Sequence, residues 1–413
     1  MSISVSTRMA LRNIHRNRRR TLLSLIGVGL GVGMGLISTG YVKGEGDLML
    51  RSTANSGVGH IRVAPAGWSG DRDQSMRLQG AANILDALRA RQGVTVAAPH
   101  TRVDALLAMG TRVVGVQLLG VDPVAEPKVS TLIRTVAEGR YLAADDKGVV
   151  VIGLTLAERL DVELDDELMA TASGSNGDMT SAMLRIVGIV KTGSREIDGS
   201  IAHLMLADAA ELSGRAGTAE ISLKIADTGQ IDAVALALSI EVGGAAEVLR
   251  WFEVNPALKA AVDLDAGFNN VTLAVIVLVV LLGVASAQLT AVLERRREFA
   301  VLAAVGMRGW QLVRLVLVEG VALGMAGSVA ALVVGVPVLY RLKTVGLNLA
   351  ELSDNMEMAA SGVLLEPVIY GDLGWWVLPF AVGLSLTATV IASLYPAWFA
   401  ARTEPAAALR VGQ

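Results

Sequence analysis

The chain has 413 residues, of which 53% are hydrophobic and 18% are charged, with a mean hydropathy of +0.53 and a formal net charge of −3. This composition is too apolar for an ordinary soluble protein and too charged for a chain that lies wholly within a membrane. The sequence has no cysteine, which excludes a disulfide framework, thiolate chemistry and a cysteine metal site. The composition therefore predicts a few membrane spans and a large aqueous part.

The first predicted element is a membrane helix at 21–43, which follows a basic segment at 1–20. Thr21–Val42 carries no charge, and a helix of this length crosses a hydrocarbon layer of ~30 Å. The run GVGLGVGMG at 27–35 lacks the preceding strand of a dinucleotide fingerprint and the lysine of a phosphate loop. We interpret its glycines as a helix-packing surface with two smooth rows on roughly opposite sides, formed by Gly27, Gly31 and Gly35 and by Gly29 and Gly33.

Residues 44–265 alternate β-rich runs with amphipathic helical runs, which predicts a large α+β extracytoplasmic domain of one or two subdomains. The β-rich runs are HIRVA, VTVAAP, VVGVQLLGV, GVVVIG, LRIVGIV, IAHLML and AEISLKIA. The helical runs are ANILDALRARQ, LTLAERL, LADAAELSG and QIDAVALALSI.

Two features of this part of the sequence raise the question of a metal site. The acidic run Asp161–Glu167 resembles the start of a calcium loop, but Asp166 and Ala172 stand where the loop needs glycine and glutamate. A solvated turn between a helix and a strand is the favoured interpretation. The histidines show no metal-ligand spacing and are predicted to be surface or satisfied polar residues, at His15, His60, His100 and His203.

Three further uncharged stretches predict membrane helices at 266–293, 311–340 and 373–397. The second stretch exceeds the bilayer thickness, so we expect the first two helices to continue outward as a helical stalk that carries the domain. A tilted helix that ends at the interface is the alternative. The fold class is thus membrane α-helical with four transmembrane helices and a large α+β extracytoplasmic domain on a helical stalk.

Arginine-rich segments set the expected orientation. They occur before Thr21, between the second and third spans, and in the tail at 398–413. The positive-inside rule places these segments in the cytoplasm, and places residues 44–265 and the loop at 341–372 in the periplasm. The expectation is a multi-pass protein of the bacterial inner membrane with both termini cytoplasmic.

Residues 294–310 join the second and third spans as a predicted amphipathic helix on the inner membrane surface. Its expected apolar face consists of Phe299, Val301, Leu302 and Val305, and a break is expected at Gly306 and Met307. The helix is either a basic anchor on anionic lipid or a docking helix for a cytoplasmic protein. The docking interpretation assigns contacts to Glu294, Arg295, Arg296, Arg297, Glu298, Phe299, Leu302, Gly306 and Met307.

Glu319 lies about two turns inside the third span, where an uncompensated charge is costly. Two interpretations of Glu319 stay open. The side chain either pairs with a neighbouring arginine or helix terminus as plain structure, or makes a partner-sensitive contact.

The segment LTAVLERRREFAVLAAVGMRGWQLVRLVLVEG closely resembles the coupling-helix region of FtsX/MacB-like permeases of ABC transporters. The tail Tyr395–Arg410 resembles their C-terminal signature. Leu118–Leu142 and Ile186–Gly214 are similar to the outer domain of the lipoprotein-releasing LolC/LolE branch. The sequence departs from MacB in having no fused nucleotide-binding domain, and from some family members at the turn DVELDDEL, where they tend to have a glycine.

The resemblance implies a permease subunit, not an enzyme, that works by mechanotransmission. It implies two copies of a separate cytoplasmic ABC ATPase that binds ATP and Mg, and a second permease that is a copy or a paralogue. It further implies a lipoprotein substrate taken from the outer leaflet of the inner membrane, a periplasmic carrier and contact with membrane lipid. No cofactor or metal is expected on this chain, and no nucleic acid.

The substrate cleft is expected between span one of one protomer and span two of the other, beside the glycine rows. Two alternatives remain, a MacB-like efflux permease for peptides or small molecules and an FtsX-like regulator of a cell-wall hydrolase. The size of the outer domain argues against the regulator.

Overall fold

The computed structural model describes residues 18–71, 73, 75–174, 178–352, 359–360 and 363–402. Most of the predicted basic segment 1–20 and of the tail 398–413 lies outside the described residues. The chain divides into two compact units. The membrane unit comprises residues 1–45, 263–347 and 368–413, and the domain unit comprises residues 46–262 and 348–367.

The helices and strands are numbered here in chain order. The helices are α1 (Arg18–Asn55), α2 (Trp68–Asp71), α3 (Ala81–Ala90), α4 (Glu126–Val129), α5 (Leu154–Leu160), α6 (Arg195–Asp198), α7 (Leu206–Ser213), α8 (Ile231–Val242), α9 (Trp251–Val254), α10 (Pro256–Glu294), α11 (Arg296–Ala304), α12 (Gly309–Thr344), α13 (Leu349–Leu352) and α14 (Val377–Ala401). The strands are β1 (Ile61–Pro65), β2 (Val94–Met109), β3 (Arg112–Val121), β4 (Val136–Gly139), β5 (Val149–Gly153), β6 (Glu167–Ser173), β7 (Met179–Val190), β8 (Ala202–Met205), β9 (Glu220–Ile225), β10 (Ala246–Arg250), β11 (Leu347–Asn348), β12 (Ala359–Ala360), β13 (Val363–Leu364) and β14 (Val368–Ile369).

Four helices among the described residues, α1, α10, α12 and α14, are long and apolar enough to cross a membrane, as predicted. α1 and α10 have 38 and 39 residues. At 1.5 Å per residue each is about 57 Å long, nearly twice the hydrocarbon thickness. The division between the two units falls inside both helices, after Glu45 and before Asp263. Both helices therefore contribute residues to both units, and the stalk stays a prediction.

Close packing of small residues joins α12 to α14 in the membrane unit. A Cβ atom added to Gly320 would lie 2.2 Å from Ser393 Oγ, and one added to Gly324 would lie 2.4 Å from Thr389 Oγ1. The hydroxyl of Thr389 donates to the carbonyl of Ser385 within its own helix, at 2.8 Å. The hydroxyl of Ser393 donates to the carbonyl of Thr389, at 2.5 Å. These buried polar groups are thus satisfied, and the absent side chains on α12 allow the close approach that stabilises helix pairs in lipid.

The domain unit is built on a ten-stranded mixed sheet with the order β10-β1-β9-β2-β3-β8-β5-β7-β4, in which β6 pairs with both β2 and β7. The strands β2, β3, β8, β5, β7 and β6 therefore form a closed ring. The ring encloses a core of fully buried side chains that includes Leu107, Leu118, Ile152 and Leu168. The β3–β8 and β5–β7 pairs are parallel and the other pairs in the ring are antiparallel.

A second core lies outside the ring, where β1, β9 and the first part of β2 pack with α3 and α8. Its buried side chains include Ile61, Val63 and Leu223. The long strand β2 serves both regions, because residues up to His100 pair with β9 and residues from His100 onward pair with β3. Because β2 belongs to both regions, the two cores lie within one continuous sheet.

Every β-rich run and every helical run predicted for the domain overlaps an observed element of that type. The run at 161–166 forms the predicted turn between α5 and β6, with Asp161 and Asp165 in the left-handed region at φ of 58° and 70°. No predicted run covers the strands β4, β6 and β10 or the four-residue helices α2, α4, α6 and α9. β6 begins within the acidic run, and the segment AEVLR of β10 consists mostly of good helix formers.

Candidate functional site

An apolar groove of about 590 Å³ lies between α1 and α10 in the membrane unit. Ser24 is the single lining residue with a polar side chain. A Cβ atom added to Gly27 or Gly283 would meet no other atom within 4 Å, so the missing side chains at these positions leave the groove open. The lining residues are Leu23, Ser24, Gly27, Val28, Leu30, Gly31, Met34, Val275, Ile276, Val279, Val280, Gly283, Val284 and Ala287.

The first glycine row of α1 faces α10. A Cβ atom added to Gly31 would lie 2.4 Å from Val280 Cγ2, and one added to Gly35 would lie 3.1 Å from Leu273 Cδ2. Gly27, in the same row, lines the groove. This row therefore contributes both to the α1–α10 contact and to the groove beside it.

The second glycine row faces α12. A Cβ atom added to Gly29 would lie 2.7 Å from Ala330 Cβ, and one added to Gly33 would lie 3.3 Å from the carbonyl oxygen of Ala331. The two rows thus lie against two different helices of the same chain. The expected cleft between protomers stays a prediction, whereas the groove described here is formed within one chain.

The amphipathic helix between the second and third spans is α11, which ends before the predicted break, where Gly306 has a φ of 101°. Phe299 is 1% exposed and packs with side chains of α12 and α14, including Leu312, Leu315 and Ala397. The structure thus places Phe299 inside the bundle, not on the surface where docking to a cytoplasmic partner would need it. Leu302 and Met307 pack partly against the same cluster.

A different set of side chains forms the surface of α11. The exposed residues are Arg296, Arg297, Val301 and Ala304 of the helix and Val305 directly after it. Val305 is 83% exposed. α11 therefore presents positive charge at its start and small apolar side chains at its end. Its Phe299 side chain packs inside the bundle, whereas its Val301 side chain is exposed.

Arg295 connects this helix to the third span. Its Nη1 donates hydrogen bonds to Glu319 Oε1 at 2.9 Å and Oε2 at 3.3 Å, and its Nε donates to Glu298 Oε2 at 3.0 Å. The guanidinium also lies 5.1 Å from the centre of the Phe299 ring. Burial alone would lower the pKa of Arg295, but the carboxylates of Glu319 and Glu298 outweigh it and raise that pKa. Of the two interpretations of Glu319, the structure shows the ion pair with a neighbouring arginine.

The domain unit contains a buried row of polar side chains that sequence reasoning missed. His100 Nε2 lies 2.6 Å from Glu126 Oε2, and His100 Nδ1 lies 3.2 Å from Ser222 Oγ. The same residue types form hydrolase triads, in which the serine contacts Nε2 of the histidine and the carboxylate contacts Nδ1. Here the two contacts are reversed, and all three side chains are at most 1% exposed. Because no substrate can reach the hydroxyl, the row is a structural network. Burial alone would raise the pKa of Glu126, but His100 outweighs it and lowers that pKa.

Glu220 is the centre of a second buried network. Arg62 Nη1 lies 3.0 Å from Glu220 Oε2, and Arg102 Nε donates to Glu220 Oε1 at 3.1 Å. Burial opposes ionisation of Glu220, but Arg102 and Arg62 outweigh it and lower its pKa to about 2. The partners come from β1, β2 and β9, so no local pattern in the sequence could reveal them.

The histidine prediction is confirmed for the three histidines that the structure describes. His60 Nδ1 accepts a hydrogen bond from the backbone N–H of Ile225 at 3.1 Å, and His203 Nδ1 lies 2.7 Å from the Tyr141 hydroxyl. Burial lowers the pKa of His203 to about 4. With His100 they are buried, satisfied polar residues. His15 lies outside the described residues.

Two family models match this chain. The model of the MacB-like periplasmic core domain matches residues 21–239, and the model of the FtsX-like permease C-terminal domain matches residues 270–405. The four spans, the α+β domain and these matches define an ABC-transporter permease of the inner membrane with a periplasmic domain. The chain belongs to the FtsX/MacB-like permease family.

Curated relatives agree with this assignment. The chain is 28% identical over 338 residues to the lipoprotein-releasing system transmembrane protein LolC of Neisseria meningitidis, a match that covers 79% of this chain and 81% of the relative. It is 23% identical to the corresponding protein LolE of Haemophilus influenzae, over 79% of this chain and 80% of the relative. It is 24% identical to the macrolide export ATP-binding/permease protein MacB of Hyphomonas neptunium, over 90% of this chain and 58% of the relative.

Among solved structures, the periplasmic region of MacB from Actinobacillus actinomycetemcomitans matches 49% of this chain and 94% of that chain, with 14% identity and a TM-score of 0.36. The family models and the curated relatives, not this structural match, confirm the resemblance that the sequence shows to FtsX/MacB-like permeases and to LolC and LolE.

Proposed function

We propose that this chain is the permease subunit of an ATP-driven machine that extracts lipoproteins from the outer leaflet of the inner membrane for delivery toward the outer membrane. The observation that carries the proposal is the apolar groove between α1 and α10, with its single polar lining side chain. Such a groove suits acyl chains, and the relatives LolC and LolE are named as proteins of lipoprotein-releasing systems.

The energetics of this substrate require both an energy source and an apolar receiver. Each methylene group moved from lipid into water costs about 0.8 kcal/mol. Two or three acyl chains cannot leave the bilayer spontaneously at that cost. In the proposal ATP binding narrows the groove, and the periplasmic domain and then a soluble carrier accept the chains.

ATP and Mg bind to a separate cytoplasmic ATPase in this proposal, present in two copies beneath two permeases, which are copies or paralogues. The exposed side of α11 is the contact with that ATPase. Charge from Arg296 and Arg297 sets the register, and Val301 and Val305 supply the apolar contact. The uninterrupted helices α1 and α10 then carry the movement outward, because a continuous helix transmits displacement along its axis.

The proposed orientation has both termini in the cytoplasm. Reporter fusions at Gly244 in the domain and at Gly306 after α11 test it. Opposite signals support the orientation, and equal signals contradict it.

Filling the groove tests its role as the acyl-chain site. Gly27→Leu and Gly283→Leu each place a side chain in the groove without meeting an atom within 4 Å of the new Cβ. Transfer of a triacylated protein from proteoliposomes to a carrier should fall, while binding of the ATPase is kept. Gly267→Leu is the matched control, because Gly267 also lies on α10 with no atom near its Cβ but does not line the groove. Equal transfer by all three variants would contradict this role of the groove.

Export of a peptide or small molecule is the second candidate function. The match to MacB over 90% of this chain favours it, since that relative is named as a macrolide export protein. ATP-stimulated export of a drug or peptide by the reconstituted complex, together with no transfer of any native lipoprotein, would establish this alternative.

A further inference from the structure

Helix α1 ends inside the domain unit at Asn55, whose polar groups all have partners. Its carbonyl oxygen accepts hydrogen bonds from the backbone N–H of Thr131 at 2.8 Å and from Thr131 Oγ1 at 3.3 Å. Its side-chain Oδ1 accepts from Lys224 Nζ at 2.7 Å, and its Nδ2 donates to Glu366 Oε1 at 3.3 Å. One residue at the helix end is therefore bonded to three other segments of the domain.

Neighbouring residues strengthen these connections. The backbone N–H of Glu366 donates to Ser52 Oγ at 3.2 Å, one turn before the helix end. Ser56, the next residue after the helix, forms an antiparallel β-bridge with Ser130. Lys224 Nζ also donates to the carbonyl of Lys128 at 3.1 Å. We call this set the helix-end clamp, formed by Ser52, Asn55, Ser56, Lys128, Ser130, Thr131, Lys224 and Glu366.

The clamp joins α1 to elements that are themselves fixed in the domain. Lys224 lies on β9, which is hydrogen-bonded to β1 and β2. Lys128 belongs to α4, and Glu126 of that helix is held by the buried contact with His100 of β2. Glu366 lies in the connection between α12 and α14. These contacts therefore connect the end of α1 to β9 directly and to β2 through α4.

We propose that the helix-end clamp is the joint through which α1 moves the periplasmic domain, with Asn55 and Lys224 as its positioning residues. This proposal rests on the proposed function, because it assumes that the cytoplasmic ATPase drives α1. In it the clamp stays closed throughout the cycle, and the domain follows the helix as one body. The clamp takes no part in contact with ATP or with the acyl chains.

Loss of the clamp should uncouple the complex without silencing the ATPase. Asn55→Ala and Lys224→Met should each lower ATP-dependent transfer of a triacylated protein by about tenfold. A factor of this size is usual for the coupling between two sites of one protein. ATP hydrolysis by the complex should persist. Lys147→Met is the matched control, because it removes a lysine of the same domain whose side chain is 80% exposed, and transfer should be unchanged.

A disulfide at the clamp tests whether Asn55→Ala loses transfer because α1 is detached from the domain, and not because the domain is less stable. The chain has no cysteine, so Ser56→Cys with Ser130→Cys introduces one disulfide pair at positions whose antiparallel pairing gives a suitable Cα separation. Oxidation of this pair in the Asn55→Ala background should restore transfer, and reduction should abolish the rescue. The control pair is Ala108→Cys with Val113→Cys, which links β2 to β3 in the same domain without holding α1. Its oxidation should not rescue transfer.

Three results would overturn the proposal. They are full transfer by both single variants, equal rescue by the two disulfides, and inhibition of the otherwise unchanged protein when the Ser56–Ser130 pair is oxidised. A readout without cargo separates this failure from failure of the proposed function. ATP should change hydrogen exchange in β9 of the parent complex but not of the Asn55→Ala complex, whichever substrate the complex carries. An equal change in both complexes would refute the joint even if lipoprotein transfer is never observed.

Discussion

Arg295 holds Glu319 through two hydrogen bonds from one guanidinium nitrogen, at 2.9 and 3.3 Å. The contact places the residue just before α11 against a carboxylate inside the third span. Both side chains are less than a fifth exposed, at 19% and 18%. Removal of one partner would leave the other charge poorly solvated, which is costlier than loss of a surface ion pair.

Glu319→Gln should therefore lower the stability of the detergent-solubilised permease by roughly 1–3 kcal/mol, less than for a fully enclosed pair. Thermal unfolding of the purified protein measures this change. The exchange Arg295→Glu with Glu319→Arg should recover part of the loss. A Glu319→Gln protein as stable as the parent would show that the pair contributes nothing to the fold.

Reversal of charge on α11 tests the contact with the ATPase. Arg296→Glu with Arg297→Glu should abolish co-purification of the ATPase and its stimulated hydrolysis, because both side chains are exposed at the start of α11. Arg341→Glu, an exposed charge reversal at the other end of α12, is the control and should bind normally. If co-purification and stimulated hydrolysis survive the double reversal, α11 is a lipid anchor.

Phe299→Ala should act differently from those reversals. Because Phe299 is 1% exposed among side chains of three helices, its truncation leaves a cavity and should lower stability by about 3–5 kcal/mol. Thermal unfolding separates the two effects. A variant of normal stability that fails only to bind the ATPase would return Phe299 to the docking surface.

The sequence was sufficient to predict the four spans and the glycine rows of the membrane unit, but not which face of α11 is buried. Uncharged runs revealed four spans, and glycines spaced four apart indicated rows that the structure places against α10 and α12. In α11, however, apolar residues occur on both sides of a nine-residue helix, so the pattern could not tell that Phe299 faces the bundle while Val301 faces outward. The His100–Glu126 contact and the helix-end clamp join segments distant in the chain, and only the fold brings them together.

Glycine packing on α1 predicts a position-dependent tolerance for alanine. Gly31→Ala puts its methyl group 2.4 Å from Val280 Cγ2, so the Val280 side chain or the two helices must shift, at a cost of about 1–3 kcal/mol. Gly27→Ala, one turn earlier, meets no atom within 4 Å and should be close to neutral. Thermal unfolding of both variants checks the difference, and Val280→Ala should partly rescue Gly31→Ala. Equal stability of the two variants would contradict the close α1–α10 contact.

His203 makes the domain sensitive to acid. Its pKa is about 4 in the folded protein against 6.5 as the ordinary value, because burial disfavours the charged ring. The unfolded chain therefore binds a proton between these values that the folded chain does not. Stability contributed by neutral His203 is complete above pH 6.5 and is lost as the pH falls toward 4, by at most about 3 kcal/mol.

Hydrogen exchange of β8 peptides in the full chain, compared at pH 7 and pH 5 after correction for the intrinsic rate, measures that loss. His203→Gln cannot take up the proton, so its protection should depend less on pH than that of the parent. Identical pH dependence of the two proteins would exclude His203 as the source.

The most direct test of the central claim is transfer of a triacylated lipoprotein from proteoliposomes to a soluble carrier. The liposomes contain this permease, its partner permease if one is required, and the ATPase. The account predicts transfer that needs hydrolysable ATP and the carrier, and that falls when Gly27→Leu fills the groove. Retention of every native lipoprotein in the liposomes, by a complex that hydrolyses ATP and exports a peptide or drug, would contradict it.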